Sequence, residues 1–303
     1  MAWGFLQITI SCESYTRAFA YLGSGGYRAG ADGAGVMIIS PPAHSCGVLI
    51  IIEQKVENNL NSGFWISWYN LPEKGRDTYL SWLHESYIPA VLKRPGVLGA
   101  AHYASESNVR ISGEAGRLRG TTDRKVPTGD RYILVFGGET PYAFANPAPS
   151  IYHAGLTAVN RKMLAMRLGE RSNVMALEGM AYGPEAAAAK DDMTFMPGMQ
   201  MGSFNAGALE DEDELMDWYA TWRLPCMEKL PGCVRIRKLV SVSGWAKHAV
   251  FYEFVSVDAR NQKFVDHENF NPEKEAWTDK VVRKLVHAPG SPNVAQRIWP
   301  VER

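Results

Sequence analysis

The run from Trp82 to Val97 matches the run from Trp218 to Cys233. Trp82, Pro89, Lys93, Pro95 and Gly96 coincide with Trp218, Pro225, Lys229, Pro231 and Gly232, without a gap, at a constant offset of 136 residues. With only 9 tryptophans and 17 prolines in 303 residues, such a coincidence points to internal duplication, and a duplicated chain must fold as two similar units.

Hydrophobic patterning around the match extends it. Carried backward at the same offset, an aromatic β-type run at 64–71 falls opposite 200–207, each just before helical sequence. The Pro-Gly pair ends each helix and turns the chain into a strand, 97–105 in one copy and 233–243 in the other. Further β-rich runs at 132–136 and 249–255 follow, then helical sequence at 151–168, and at 258–267 with 273–287. Closing strands are expected at 173–182 and 293–301. The order β-α-β-β-α-β in each copy defines an α+β fold of two tandem ferredoxin-like halves, each with a sheet covered by helices on one face and apolar on the other. Two such apolar faces meet in a barrel.

The pattern W-[YL]-x-x-x-polar-[IL]-P-x5-P-G followed by a strand resembles the EthD-like, dimeric α/β-barrel proteins. In single-copy members two chains close the barrel, so the resemblance implies an intramolecular dimeric barrel here, over roughly 64–302. The expected organisation is an N-terminal arm over 1–60, ordered or not, a first half at 61–183, a linker at 184–198 and a second half at 199–303. A Gly- and Arg-rich connection at 106–130 reads either as a solvated hairpin extension or as a lid that gathers anions.

Charge excludes some partners. Lysine plus arginine and aspartate plus glutamate both total 32, so no net field draws the chain to nucleic acid or to an anionic membrane. Apolar runs are too short to span a bilayer. Cys12, Cys46, Cys226 and Cys233 have no CxxC spacing or disulfide framework, which suits a reducing cytoplasm. The expected partner is a hydrophobic small molecule, with self-association into a homo-oligomer left open.

Familiar catalytic motifs fail on inspection. The glycines around Gly23 to Gly30 lack the order of a phosphate loop. His84-Glu85 and His267-Glu268 begin like HExxH, yet Ile88 and Asn271 stand where the second histidine belongs, so no metal site is read. No GxSxG elbow is present. Ten of the twelve methionines lie between Met163 and Met227, which reads as ordinary packing or as a soft apolar cavity.

In many relatives the residue two before the helix proline is a histidine facing a pocket between helix and sheet. The matching positions here are Tyr87 and Arg223, which can still stabilise a developing oxyanion or hold a carboxylate. One turn before Tyr87 on the same helix is His84. His102 and Tyr103 are adjacent on a strand, so only one reaches the pocket, and His102 is favoured. Candidate catalytic residues are therefore Tyr87, His84, His102 and Arg223, with Trp65, Trp68, Trp82, Tyr103, Trp218 and Trp222 as candidate substrate-binding residues. Each has a bland alternative in core packing or a solvated surface.

The resemblance implies a cofactor-independent enzyme acting by proton transfer on a hydrophobic aromatic or polyketide-like compound: an isomerase, cyclase, decarboxylase or monooxygenase. One alternative is a haem enzyme of the chlorite dismutase, dye-decolourising peroxidase or aldoxime dehydratase architecture, with His248, His267 or His287 as axial ligand. The other is a non-enzymatic binding or stress-linked protein.

Overall fold

The computed structural model describes residues 28–31, 36–40, 50–53, 62–105, 118–264 and 272–301. Contacts divide the chain after Asn59 into two units. In the first unit, β1 (Arg28–Ala31), β2 (Val36–Ser40) and β3 (Ile50–Glu53) form a small antiparallel sheet in the order β1-β2-β3. The remainder of the expected N-terminal arm, with Cys12 and Cys46, lies outside the described residues, as do Glu106 to Arg117 and His267.

The second unit carries the remaining strands. These are β4 (Gly63–Asn70), β5 (Val97–Ser105), β6 (Arg119–Gly120), β7 (Tyr132–Gly138) and β8 (Leu168–Tyr182). They continue with β9 (Gly198–Asn205), β10 (Cys233–Ser243), β11 (His248–Phe254), β12 (Val286–His287) and β13 (Asn293–Trp299). Eight of them follow one another as β11-β10-β8-β4-β7-β5-β13-β9, all antiparallel, and β11 also pairs with β9. That last pairing closes an eight-stranded antiparallel barrel. Closure removes the edges that an open sheet must protect.

Within this ring each run of four strands has the same order. Numbered along its own segment, β8-β4-β7-β5 is 4-1-3-2, and β13-β9-β11-β10 is again 4-1-3-2. The seams are equivalent too: β8 pairs with β10 and β13 with β5, the fourth strand of one run against the second of the other.

The helices between first and second strands match in detail. In the first run, α1 (Arg76–Trp82) passes through a π-helical segment, Leu83–Tyr87, into α2 (Ile88–Leu92). Downstream lie α3 (Pro149–Ala154) and α4 (Ala158–Leu164). In the second run, α5 (Asp211–Trp218) passes through a π-helical segment, Tyr219–Arg223, into α6 (Leu224–Met227). Pro89 and Pro225 have no N–H to donate, and their rings crowd the carbonyl four residues earlier, so the preceding turn widens. Gly96 and Gly232 then take φ values of 75° and 84°, left-handed backbone that a side chain disfavours. The second run ends with α7 (Val257–Lys263) and α8 (Pro272–Lys284) before β12.

Three details differ from the sequence expectation. β4 and β9 correspond at an offset of 135, not 136, because the turn between strand and helix gains one residue in the second run. A one-residue change exchanges the two faces of a strand, so Phe64 matches Met199 and not Gln200. The helix expected over 151–168 is broken into α3 and α4, where Gly155 ends one and Thr157 caps the next by accepting from the Asn160 amide at 3.3 Å. The closing strand begins at Leu168, five residues earlier than expected.

Strand alternation sends Phe64, Ile66 and Trp68 into the barrel with Tyr103, Met199, Met201 and Phe251, while Trp65 and Tyr69 face the helices. The connection at 184–198 also supplies core: Met193 and Phe195 are buried inside the barrel. Its carbonyls accept from arginines: Asp191 and Thr194 from buried Arg235, Asp192 from buried Arg237 and Phe195 from half-buried Arg297. Glu253 pairs with both Arg235 and Arg237 inside the barrel and accepts from the Met196 amide at 3.0 Å. Methionine clustering there is core packing, since flexible thioethers fill an irregular space between strands.

Candidate functional site

Each half of the barrel carries a layer of side chains between its helices and the outer face of its strands. In the first layer, the π-helical segment aims His84 and Tyr87 at the sheet, and β5 aims His102 outward while Tyr103 points into the barrel.

His102 is fully buried. Its Nδ1 lies 2.9 Å from Nε2 of half-buried His84, and its Nε2 lies 2.8 Å from the hydroxyl of Tyr69. The Tyr69 hydroxyl in turn meets that of Tyr79, which accepts from Nε of Arg167 at 2.6 Å. Arg167 lies over the Tyr69 ring at 4.5 Å and pairs with Glu170 at 2.6 Å. Beside this chain, the Tyr87 hydroxyl contacts Nε2 of His153 at 2.6 Å, and Trp65 packs against the His153 ring.

Burial sets the charge states. Desolvation lowers the pKa of His84, and it lowers that of His102 further, helped by His84 and by the Arg167 charge. His153 falls to about 4, again chiefly by desolvation. Burial raises the Tyr69, Tyr79 and Tyr87 hydroxyls above their usual range. At neutral pH the histidines and tyrosines of the row are therefore uncharged. A neutral imidazole has one donor and one acceptor nitrogen, so the row from His84 through His102 to Tyr69 has two self-consistent polarities. Changing between them moves protons from the rim to the buried end, which is what a relay does.

The second layer has different chemistry at the matching positions. Lys238 stands where the first half has His102, and its ammonium contacts Glu178 at 2.7 Å and Nδ1 of His248 at 2.8 Å. Nε2 of His248 contacts Glu212 at 2.8 Å. Arg223, at the position of Tyr87, is buried and donates from Nε to the Tyr252 hydroxyl at 2.7 Å. Near it is a cavity of about 70 Å³ lined by Trp218, Tyr219, Tyr252, Thr278 and His287, among others.

The residues singled out from sequence divide accordingly. His84, Tyr87, His102, Trp65 and Trp82 share the first layer. Arg223, Trp218 and Trp222 belong to the second, so Arg223 does not join Tyr87 in one site. Trp68 and Tyr103 are inside the barrel, on the other face of the sheet from His102, and cannot wall the same pocket. Tyr69, Tyr79, His153, Arg167 and Glu170 were missed. Tyr69 was within reach, since it shares a strand face with Trp65. The others arrive from distant segments that carry no local motif.

No protein-family model matches the sequence, and no curated protein matches it. Three of the solved structures that resemble this chain each align with 78% of it. A Fusobacterium nucleatum protein provisionally named a monooxygenase gives a TM-score of 0.48 at 10% identity over 92% of its own chain. A Lactobacillus acidophilus protein with the same provisional name gives 0.44 at 12% identity over 93%. An anthrone oxidase-like protein gives 0.49 at 11% identity over 92%. At such scores the likeness is one of loose overall shape and says nothing of activity. Among the described residues, no helix is long and apolar enough to cross a membrane.

Proposed function

We propose that this chain is an enzyme that moves a proton on a hydrophobic aromatic or polyketide-like small molecule, using the first half's helix–sheet layer and no metal or organic cofactor. The observation that carries the reading is the row from half-buried His84 through fully buried His102 to Tyr69. A neutral imidazole at the rim takes a proton from an acidic C–H or O–H, and the His84 imidazolium that results donates to Nδ1 of His102, whose other nitrogen is held by Tyr69. Half-buried Trp299 stacks beside the His84 ring, and half-buried Trp82 and Tyr152 add flat apolar surface to the same layer. The reaction is then an isomerisation, cyclisation or decarboxylation, or an oxygenation in which the deprotonated, electron-rich substrate itself reduces oxygen.

The same reading takes the two halves as tandem ferredoxin-like copies of the EthD-like kind, with a cytoplasmic setting. Its support is the repeated 4-1-3-2 strand order together with two π-helical segments 136 residues apart. The haem alternative finds little purchase in the described histidines. Both ring nitrogens of His248 are occupied, and His287 faces a cavity of about 70 Å³, well below the roughly 300 Å³ at which ligand pockets begin. His267 lies outside the described residues.

The test is deuterium incorporation into the acidic C–H of a panel of aromatic ketones in D2O, followed by proton NMR. Catalysed exchange is expected, falling on the order of 10²-fold in His102→Ala and in Tyr69→Phe. Exchange no faster than buffer across the panel, alongside saturable binding, would favour the non-enzymatic reading. Unchanged rates in both variants would remove the relay, and a Soret band in the purified protein would restore haem.

A further inference from the structure

The cavity in the second half has a polar inventory that the relay does not explain. Its walls are largely apolar, with Phe204, Val250, Val282 and Leu285 among them. Two polar groups on those walls have unused capacity.

One is His287, which is 6% exposed and whose Nδ1 has no hydrogen-bond partner. Burial lowers the ring's pKa to about 4, so it is neutral at pH 7. The ring's bond to the Arg119 backbone favours the protonated form, so it is a donation to the carbonyl. Nδ1 has no acceptor to which it could donate, so the tautomer that leaves it a bare, buried acceptor is the one a ligand proton stabilises. A buried acceptor with no donor costs about 1–3 kcal/mol, which a ligand proton recovers.

The other is Thr278. Its Oγ1 accepts from the indole N–H groups of Trp218 and Trp222, both at 3.2 Å. Both lone pairs are thereby used, and what remains is the hydroxyl proton. One wall thus asks for a donor and another offers one. A hydroxyl group answers both.

We propose that this cavity binds the hydroxyl-bearing end of a short aliphatic compound, its proton given to His287 Nδ1 and its oxygen receiving the proton of Thr278. Size sets the class. About 70 Å³ exceeds the 10–15 Å³ that one water requires, and is roughly half the 150 Å³ of an engineered cavity that admits benzene. Three or four heavy atoms fit, and an aromatic ring does not.

The site is built by both halves. Leu118, just before β6, forms part of the wall, and β6 pairs in parallel with β12, which carries His287. The Thr121 amide donates to the His287 carbonyl at 2.8 Å. The described end of the long first-half connection therefore holds His287 in place, although its residues precede it by more than a hundred and sixty positions.

This site is independent of the proton relay, and its test uses the full chain. Long-range 1H–15N spectra of the histidine rings are recorded while propan-1-ol is added, with 1-fluoropropane as the isostere that cannot donate. The expected result is a saturable shift of one bare Nδ1 resonance with propan-1-ol and at least tenfold weaker binding of 1-fluoropropane. Thr278→Val leaves the volume and removes the donor, and is expected to weaken propan-1-ol about tenfold. Val282→Phe fills the volume and is expected to abolish the shift. Equal affinity for the two probes, an unchanged response in Val282→Phe, or no saturation would overturn the proposal and leave ordered water as the occupant.

Discussion

At the scale of single residues, burial controls the titratable groups. His84, His102, His153, His248 and His287 all have lowered pKa values, with desolvation the largest cause in each. An unfolded histidine binds a proton near pH 6.5, whereas His153 and His287 in the folded chain do so only near 4. The unfolded state therefore takes up more protons as pH falls, and stability that is complete above pH 6.5 is lost on the way to about 4. Glu253 and Glu214 are lowered from 4.5 by their arginine and lysine partners and add to the loss only at lower pH. A thermal midpoint that declines between pH 6.5 and 4.5 is expected. A midpoint that stays level across that window would show that these imidazoles do not titrate as burial dictates.

At the scale of elements, the helix-Pro-Gly unit is where the two halves agree most closely. Proline widens the helix into a π-helical segment, and that segment aims Tyr87 in one half and Arg223 in the other at the sheet. Glycine then reverses the chain into the next strand. Alanine at either glycine forces a left-handed conformation costing about 1–2 kcal/mol. At Gly232 the new methyl would also meet the Ala259 Cβ at 2.9 Å, whereas at Gly96 the nearest atom, the Ala143 Cβ, is 3.2 Å away. Urea unfolding is expected to show both variants destabilised, Gly232→Ala more than Gly96→Ala. The reverse ranking would mean that the second turn relaxes more freely than its packing implies.

For the whole barrel unit, Leu60 to Arg303, closure couples the halves. The β8·β10 and β13·β5 seams and the buried Met193-Phe195 segment tie each half to the other. Neither half keeps its barrel face covered when the other opens, so the unit is expected to unfold as one. Hydrogen exchange read by mass spectrometry should give β4 and β11, one strand from each half, the same global opening free energy. Separate opening of the two strands would show that the halves are autonomous.

Local chemistry was legible in the sequence to the extent that local rules govern it. The 136-residue offset, the Pro-Gly turns, the alternation of Phe64, Trp65, Ile66, Ser67 and Trp68, and the opposite placement of His102 and Tyr103 follow from residue type and spacing alone. Spacing also brought His84 and Tyr87 onto one helix face. Only the tertiary structure decided that the His102 ring would stand between His84 and Tyr69, that His153 would meet Tyr87, and that Arg223 would belong to another layer. The pairing of β6 with β12, which places Leu118 beside His287, was equally beyond the sequence. Those partners come from segments far apart in the chain, and no local periodicity encodes which buried donor meets which acceptor. The closure of the barrel and the burial that neutralises its histidines decide it.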